Sequence, residues 1–130
     1  MEKWKGYDMG EVSGKNIVAE KSLDFAVRIV RMCRHLAIKR HEQAMTSQVL
    51  RSGTSIGANI HEAASAQSKA DFVSKLSIAL KECDETGYWL ELLFRVSCLS
   101  QSEYDSIEAD RRELFALLTS IIKTAKGKLA

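Results

Sequence analysis

The segment that most constrains the fold is residues 51–62, RSGTSIGANIHE, which lies in a chain that contains no proline. Segments with helical periodicity flank it on both sides. If the segment is helical, residues three and four apart form one narrow polar stripe, which consists of Arg51, Ser55, Asn59 and Glu62. Two glycines inside a helix each cost about 1 kcal/mol relative to alanine. Their presence therefore predicts that a neighbouring helix approaches closely, with this segment at the centre of a helical assembly.

The composition is that of an ordinary soluble protein. A length of 130 residues predicts one domain, and the net charge of +2 makes only a local basic patch a candidate for nucleic-acid binding. The three cysteines have no C-x-x-C spacing, which predicts free, buried thiols in a reducing compartment. Because we find neither a long apolar run nor a signal sequence, we expect a cytoplasmic protein with no membrane partner.

Apolar periodicity predicts four helices, at about 16–39, 41–66, 69–99 and 103–126. Residues 1–14 contain three glycines and no periodicity, so we expect a flexible N-terminal tail followed by a bundle domain at 15–130. Long helices with short connections predict an all-α fold, an antiparallel up-down-up-down four-helix bundle. No β-hairpin signal competes with this interpretation.

The third helix has a second apolar row, although a surface helix normally shows only one apolar face. We expect this second row to be buried against another subunit, and it forms the predicted oligomer interface: Ile78, Trp89, Leu92 and Val96. Glu82 and Glu85 interrupt the row. Because a buried carboxylate is costly unless it is paired, we expect Arg51 to pair with them. The predicted structural polar network comprises Arg51, Ser55, Asn59, Glu62, Glu82 and Glu85. The alternative is that the same groups line a ligand or partner site.

Signals for catalysis are weak. The spacings Glu82-x-x-Glu85 and Asp105-x-x-Glu108 could hold Mg²⁺, but acids at the start of a helix are also expected from the helix dipole. The chain has no Glu-x-x-His pair and no phosphate loop, and its histidines lack ligand spacing. We therefore expect no catalytic residues, no metal site, no cofactor and no enzymatic activity.

The first helix carries a basic face made of Lys21, Arg28, Arg31, His35 and Lys39. These cations could track a phosphate backbone, or they could simply form a solvated helix face. A ring of identical subunits would repeat the patch and raise the avidity. No aromatic residues alternate with the cations, so the sequence does not predict base-specific recognition.

The run from Leu50 to Leu93 resembles the proteins encoded in intervening sequences of bacterial 23S ribosomal RNA genes, which in turn resemble the accessory protein of diversity-generating retroelements. The resemblance covers about residues 17–126. Its most specific part is the pattern Ser-Ile-x-x-Asn-Ile-x-Glu-Gly, in which Ala63 stands at the position of the glycine. The other matching positions are Arg51, Phe72, Leu76-Ser77-Ile78-Ala79, Glu82 and Glu85. The resemblance implies an antiparallel four-helix bundle, a homopentamer and no known enzymatic activity. The retroelement relatives bind nucleic acid and a reverse transcriptase through a basic surface.

The leading functional hypothesis is a non-enzymatic oligomeric scaffold that binds RNA, or a protein that handles nucleic acid, through the basic face of the first helix. One alternative is a protein-interaction bundle with no nucleic-acid role. Another is a Mg²⁺-dependent nucleotide hydrolase that uses Glu82 and Glu85.

Overall fold

The protein is an all-α four-helix bundle, as predicted. The computed structural model describes residues 11–12, 15–39 and 42–127. The elements in chain order are β1 (Glu11–Val12), β2 (Lys15–Asn16), α1 (Ile17–Lys39), α2 (Ala44–Ala64), α3 (Lys69–Arg95) and α4 (Gln101–Gly127). The β1–β2 pair is a minimal antiparallel ladder that the sequence did not predict. Most of the predicted tail, 1–14, lies outside the described residues, and the domain boundary at residue 15 stays a prediction.

Each helix contributes one apolar row to a single core. Neighbours along the chain pack most extensively, whereas α1 and α4 contact each other less. No helix in the described ranges is both long enough and apolar enough to cross a membrane. The largest fully buried side chains are Phe25, Phe72, Ile29, Leu36, Ile56, Ile60, Leu76, Leu90, Leu93, Leu114, Leu118 and Val18.

The glycines of α2 let α1 approach closely, which confirms the prediction made from residues 51–62. A Cβ atom on Gly53 would lie 3.0 Å from both Cγ1 and Cγ2 of Ile29. A Cβ atom on Gly57 would lie 3.3 Å from the Ser22 hydroxyl. Because both contacts are tighter than ordinary packing, larger residues at these positions would push α1 and α2 apart.

Side-chain caps fix the starts of two helices. Ser68 Oγ accepts a hydrogen bond from the Asp71 amide at 3.0 Å, at the start of α3. At α4, Ser100 Oγ accepts from the Glu103 amide at 3.1 Å, and the Glu103 carboxylate accepts from the Ser100 amide at 2.8 Å. This reciprocal pair is a capping box. It starts α4 at Gln101, two residues before the predicted position.

The end of α3 differs from the prediction, which extended the helix to residue 99. Ser97 has a φ of 66°, in the left-handed region. The Cys98 amide donates to the Leu93 carbonyl at 2.8 Å and the Ser97 amide to Phe94 at 3.0 Å. These are the two hydrogen bonds of a Schellman motif, so the helix stops at Arg95.

The ends of α2 also differ from the predicted 41–66. The helix begins at Ala44, where the Glu42 carboxylate accepts from the Met45 amide at 3.2 Å. It stops at Ala64 because the next two amides bond three residues back rather than four, at 3.1 Å each.

Candidate nucleic-acid interface

The basic face of α1 is divided into two parts by its contacts with α4. Lys21 Nζ lies 2.8 Å from Glu113 Oε1. This hydrogen bond and the charge of Glu113 raise the pKa of Lys21 above its ordinary value. About two turns further on, Arg28 Nη1 donates to Asp110 Oδ2 at 2.5 Å. Lys21 and Arg28, two of the five predicted phosphate-contacting residues, are therefore already paired with acidic side chains. These ion pairs join α1 to α4.

Arg28 is held by more than one acceptor. Its Nη1 also donates to the Ser106 carbonyl at 3.2 Å, and its Nη2 donates to the Ser106 hydroxyl at 2.9 Å. Three contacts with two residues fix the guanidinium plane against α4. The Arg28 guanidinium is therefore held against α4 and is not a mobile cation.

The remaining predicted cations are free of such contacts. Arg31, His35 and Lys39 are exposed, and no acidic side chain in the described part of the chain pairs with them. Positions four apart on a helix are neighbours, so the three form one row along the C-terminal half of α1. Arg34 is also exposed beside this row, although the sequence analysis did not select it. A cation in the last turn of a helix also interacts favourably with the helix dipole. This interaction explains the presence of Lys39 without any ligand.

A cleft of about 590 Å³ opens between α1 and α4 beside this row. The ion pairs of Lys21 and Arg28 bridge the two helices on one side of it. Apolar side chains from both helices and from the preceding turn form part of its lining, together with cationic and hydroxyl groups. The lining residues are Arg28, Arg31, Met32, His35, Leu36, Leu99, Ser102, Glu103, Ser106 and Ile107. The sequence analysis did not find the contribution of α4.

The comparisons with known proteins bear on this same region. The family model described as 23S rRNA-intervening sequence protein matches residues 14–120, which include α1 and the whole cleft. The chain belongs to this family. It is also similar to a crystal structure, at 1.70 Å resolution, of a protein with unknown function from the S23 ribosomal protein family of Bacteroides thetaiotaomicron VPI-5482. The identity is 56%, the TM-score is 0.82, and the match covers 83% of this chain and 96% of that one. No curated protein matches the chain.

In this 23S rRNA-intervening sequence protein, the residues of the predicted polar network fall into three separate groups of contacts. Arg51 Nη1 donates to Glu82 Oε2 at 3.2 Å, and its Nη2 contacts Glu85 Oε2. Trp89 Nε1 also donates to Glu85 Oε2, at 3.0 Å. The other three members bond elsewhere: Asn59 Nδ2 donates to the Ser55 carbonyl at 2.9 Å, and Glu62 pairs with Lys75 at 3.2 Å.

Three of the four carboxylates considered for Mg²⁺ are paired with arginines, and the fourth, Asp105, accepts a hydrogen bond from Gln101 Nε2 at 2.9 Å. Arg51 lies between Glu82 and Glu85, and Glu108 binds Arg111 and Arg112. Within the described ranges, no group of three or more histidine, cysteine, aspartate or glutamate side chains is arranged to hold a metal ion. A cation between Glu82 and Glu85 would have to displace the Arg51 guanidinium.

The predicted oligomer residues lie along one side of α3, with Val96 at its C-terminal cap, and their exposure is unequal. Ile78 is 40% exposed and Val96 is 49% exposed, whereas Trp89 and Leu92 are half-buried. Tyr88 is also exposed, and its ring meets that of Trp89 edge-on with 5.0 Å between centroids. Apolar side chains are thus available to a second protein molecule at both ends of this row.

Proposed function

We propose that this family member is a non-enzymatic, oligomeric scaffold in the cytoplasm that binds RNA through the free cations of α1. The observation that carries the proposal is the exposed row of Arg31, His35 and Lys39, which lacks acidic partners in the described ranges and borders the cleft. Lysine and arginine side chains neutralise phosphates without reading bases. The family's name, which refers to 23S rRNA, supports RNA as the nucleic acid to test first.

The proposed scaffold is an antiparallel bundle that assembles into a homopentamer. Contacts that run in opposite order along paired helices support the antiparallel arrangement: Ile29 meets Gly53, while Ser22, earlier in the chain, meets Gly57. The exposed apolar side chains of α3 support self-association, and the resemblance stated above implies five copies. Each added copy repeats the cationic row, which raises avidity for a long polyanion without any new contact.

The binding experiment compares two double variants with the same change in net charge. Arg31→Gln with Lys39→Gln removes two cations of the row. The control is Lys81→Gln with Lys123→Gln, which removes two exposed lysines from α3 and α4. Arg28 is avoided because its substitution would also break the contacts with α4. Fluorescence anisotropy with a labelled structured RNA, measured from 50 to 200 mM salt, reports affinity and salt dependence.

We expect the row variant to bind about tenfold more weakly and to lower the slope of log K against log salt by roughly one to two, since each lost phosphate contact contributes about 0.7 to 0.9. The control should stay within about twofold of the unaltered protein. Equal losses in both double variants would show that only net charge matters, and an unaltered protein that binds no RNA at low salt would refute the proposal.

The assembly is tested separately by light scattering. Val96→Glu places a charge on the proposed interface, and Leu23→Glu places the same charge on α1, where Leu23 is 66% exposed. We expect the unaltered protein and the Leu23 variant to have about five times the protomer mass of 14.5 kDa, and the Val96 variant to dissociate. A monomeric unaltered protein, or a Val96 variant that keeps the full mass, would refute the α3 interface.

A further inference from the structure

We infer that the cleft between α1 and α4 is a binding site for an unpaired nucleobase, so that the RNA bound by the α1 face is single-stranded where it crosses the cleft. This inference rests on the proposed RNA binding. The cations alone predict contact only with the RNA backbone. The cleft adds a second kind of ligand, an unstacked base with its adjoining phosphate.

The lining of the cleft separates into an apolar floor and a polar rim. Met32 and Leu36 of α1 face Ile107 of α4 and Leu99 of the preceding turn. Three of these four side chains, Leu36, Leu99 and Ile107, are buried members of the core cluster. The floor is therefore an aliphatic surface that is continuous with the core.

The rim carries cationic and hydroxyl groups that suit a nucleotide, together with the carboxylate of Glu103, which accepts a hydrogen bond from the Ser100 amide. Arg31 and His35 stand on the α1 side with no acidic partner in the described ranges, and Ser102 and Ser106 bring hydroxyl groups from α4. Arg28 is held in place by Asp110 and Ser106. Unpaired bases stack on guanidinium planes and use their edges for hydrogen bonds, so a base on the floor would find a cation above it and hydroxyls beside it.

An apolar floor argues for a base rather than for a phosphate alone. Phosphate gains nothing from aliphatic contact, whereas a flat heterocycle buries its faces there. A volume of about 590 Å³ falls within the range of about 300 to 1,000 Å³ that small-molecule sites occupy, so one nucleotide fits. A paired base is stacked within its helix and cannot enter, which is why the inference requires a single strand.

The first experiment uses three probes of equal length with the unaltered protein: a mixed-sequence 12-nucleotide single-stranded RNA, the same strand with abasic residues throughout, and its duplex. We expect the single strand to bind about tenfold more tightly than the abasic strand. This lies toward the low end of the roughly five- to 150-fold that stacking of a base on an aromatic side chain contributes, because the cleft offers aliphatic and guanidinium groups instead. The duplex should lack this gain. Equal binding of the three probes would overturn the proposed base-binding site while leaving salt-sensitive RNA binding intact. Failure of all three to bind at low salt would refute the proposed function itself.

The second experiment fills the cleft. Ser106→Leu fills the lining with a bulky aliphatic side chain that offers no ring for stacking, while Arg28 keeps its contacts with Asp110 and with the backbone carbonyl of residue 106. Ser120→Leu adds the same side chain at an exposed position elsewhere on α4. We expect the Ser106 variant to lose the tenfold preference for the intact strand and to bind the abasic strand as before, whereas the Ser120 variant keeps the preference. Retention of the preference in the Ser106 variant would overturn the inference. If that variant does not fold, the comparison of intact and abasic strands with the unaltered protein still tests whether the cleft binds a base.

Discussion

Glu108 and Arg111 form a bidentate ion pair within one turn of α4, and Arg111 Nη2 donates to Glu108 Oε2 at 2.9 Å. Their side chains are only 8% and 13% exposed. Arg111 Nη1 also donates to the Cys83 carbonyl at 3.3 Å, which joins α4 to α3. Buried charges are stable only when paired and hydrogen-bonded. Glu108 is therefore a structural residue of the α3–α4 contact, and not merely an acid near a helix start.

The Glu108 pair should make stability depend on acid. Burial favours the neutral carboxyl, but hydrogen bonds from Arg111 and Arg112 outweigh it and lower the pKa of Glu108 below its ordinary 4.5. A lowered folded-state pKa contributes stability above pH 4.5, and this contribution is lost as the pH falls through the folded-state value. We expect Glu108→Gln to lower the free energy of unfolding by about 2 to 3 kcal/mol at pH 7, since hydrogen bonds to charged groups contribute about 1.5 to 3 kcal/mol. Urea unfolding at several pH values should show this difference shrinking below pH 4.5. An equal difference at pH 3 and pH 7 would contradict the assignment.

Gly53→Ala should destabilise the protein although alanine is the better helix former. The added methyl group must displace Ile29, whose Cγ atoms lie 3.0 Å from the Cβ position. Overpacking costs about 1 to 3 kcal/mol, which exceeds the gain of about 1 kcal/mol in helix propensity. We expect a net loss of about 1 kcal/mol in thermal or urea unfolding. Gly127→Ala is the control, because its Cβ would meet no atom within 4 Å. A Gly53 variant more stable than this control would show that α1 and α2 are not in close contact.

Ser97→Gly should stabilise the protein. Ser97 holds a φ of 66°, a conformation that costs an L-residue about 1 kcal/mol and costs glycine little. We expect a gain of about 0.5 to 1 kcal/mol in the free energy of unfolding, and a smaller gain for Ser97→Asn. Ser74→Gly, at an exposed position inside α3, should instead lose stability because glycine is a poor helix former. Destabilisation by both glycines would place Ser97 in an ordinary helical conformation.

The three thiols should react at different rates. Burial raises the pKa of Cys33 and of Cys83 to about 11, so neither forms much thiolate at neutral pH. Cys98 is partly exposed. We expect iodoacetamide at pH 8 to modify Cys98 first, and the other two only after the addition of denaturant, as followed by mass spectrometry. Rapid modification of Cys33 in the folded protein would contradict its packing against the Thr46 carbonyl.

The number of helices and their order could be predicted because apolar spacing is a local property of the chain. The helix ends were less predictable for two different reasons. Ser100 and Glu103 had the Ser-x-x-Glu spacing of a capping box, which is a visible signal. Ser97 carried no such signal, because serine rarely occupies the left-handed conformation that glycine adopts at helix ends.

The candidate site could be predicted only in part because it combines residues far apart in sequence. Periodicity placed Arg28 and Arg31 on one basic face, but it could not show that Asp110 lies opposite Arg28 and leaves Arg31 free. The pairing of Arg51 with Glu82 and Glu85 was predicted from the cost of burying carboxylates. The structure contains the pairing, but both carboxylates are still partly exposed, at 21% and 37%. The α4 side of the cleft required the three-dimensional arrangement, since Ser106 lies 78 residues along the chain from Arg28, which it contacts.

The limited contact between α1 and α4 has a consequence for the folding reaction. Every other neighbouring pair of helices is joined by a short connection, so those contacts form with little loop-closure entropy. Contact between α1 and α4 closes a loop that contains α2 and α3. We expect its side-chain contacts to be absent from the transition state, with φ-values near zero for substitutions of Lys21 and Arg28. Such substitutions would accelerate unfolding and leave the refolding rate unchanged.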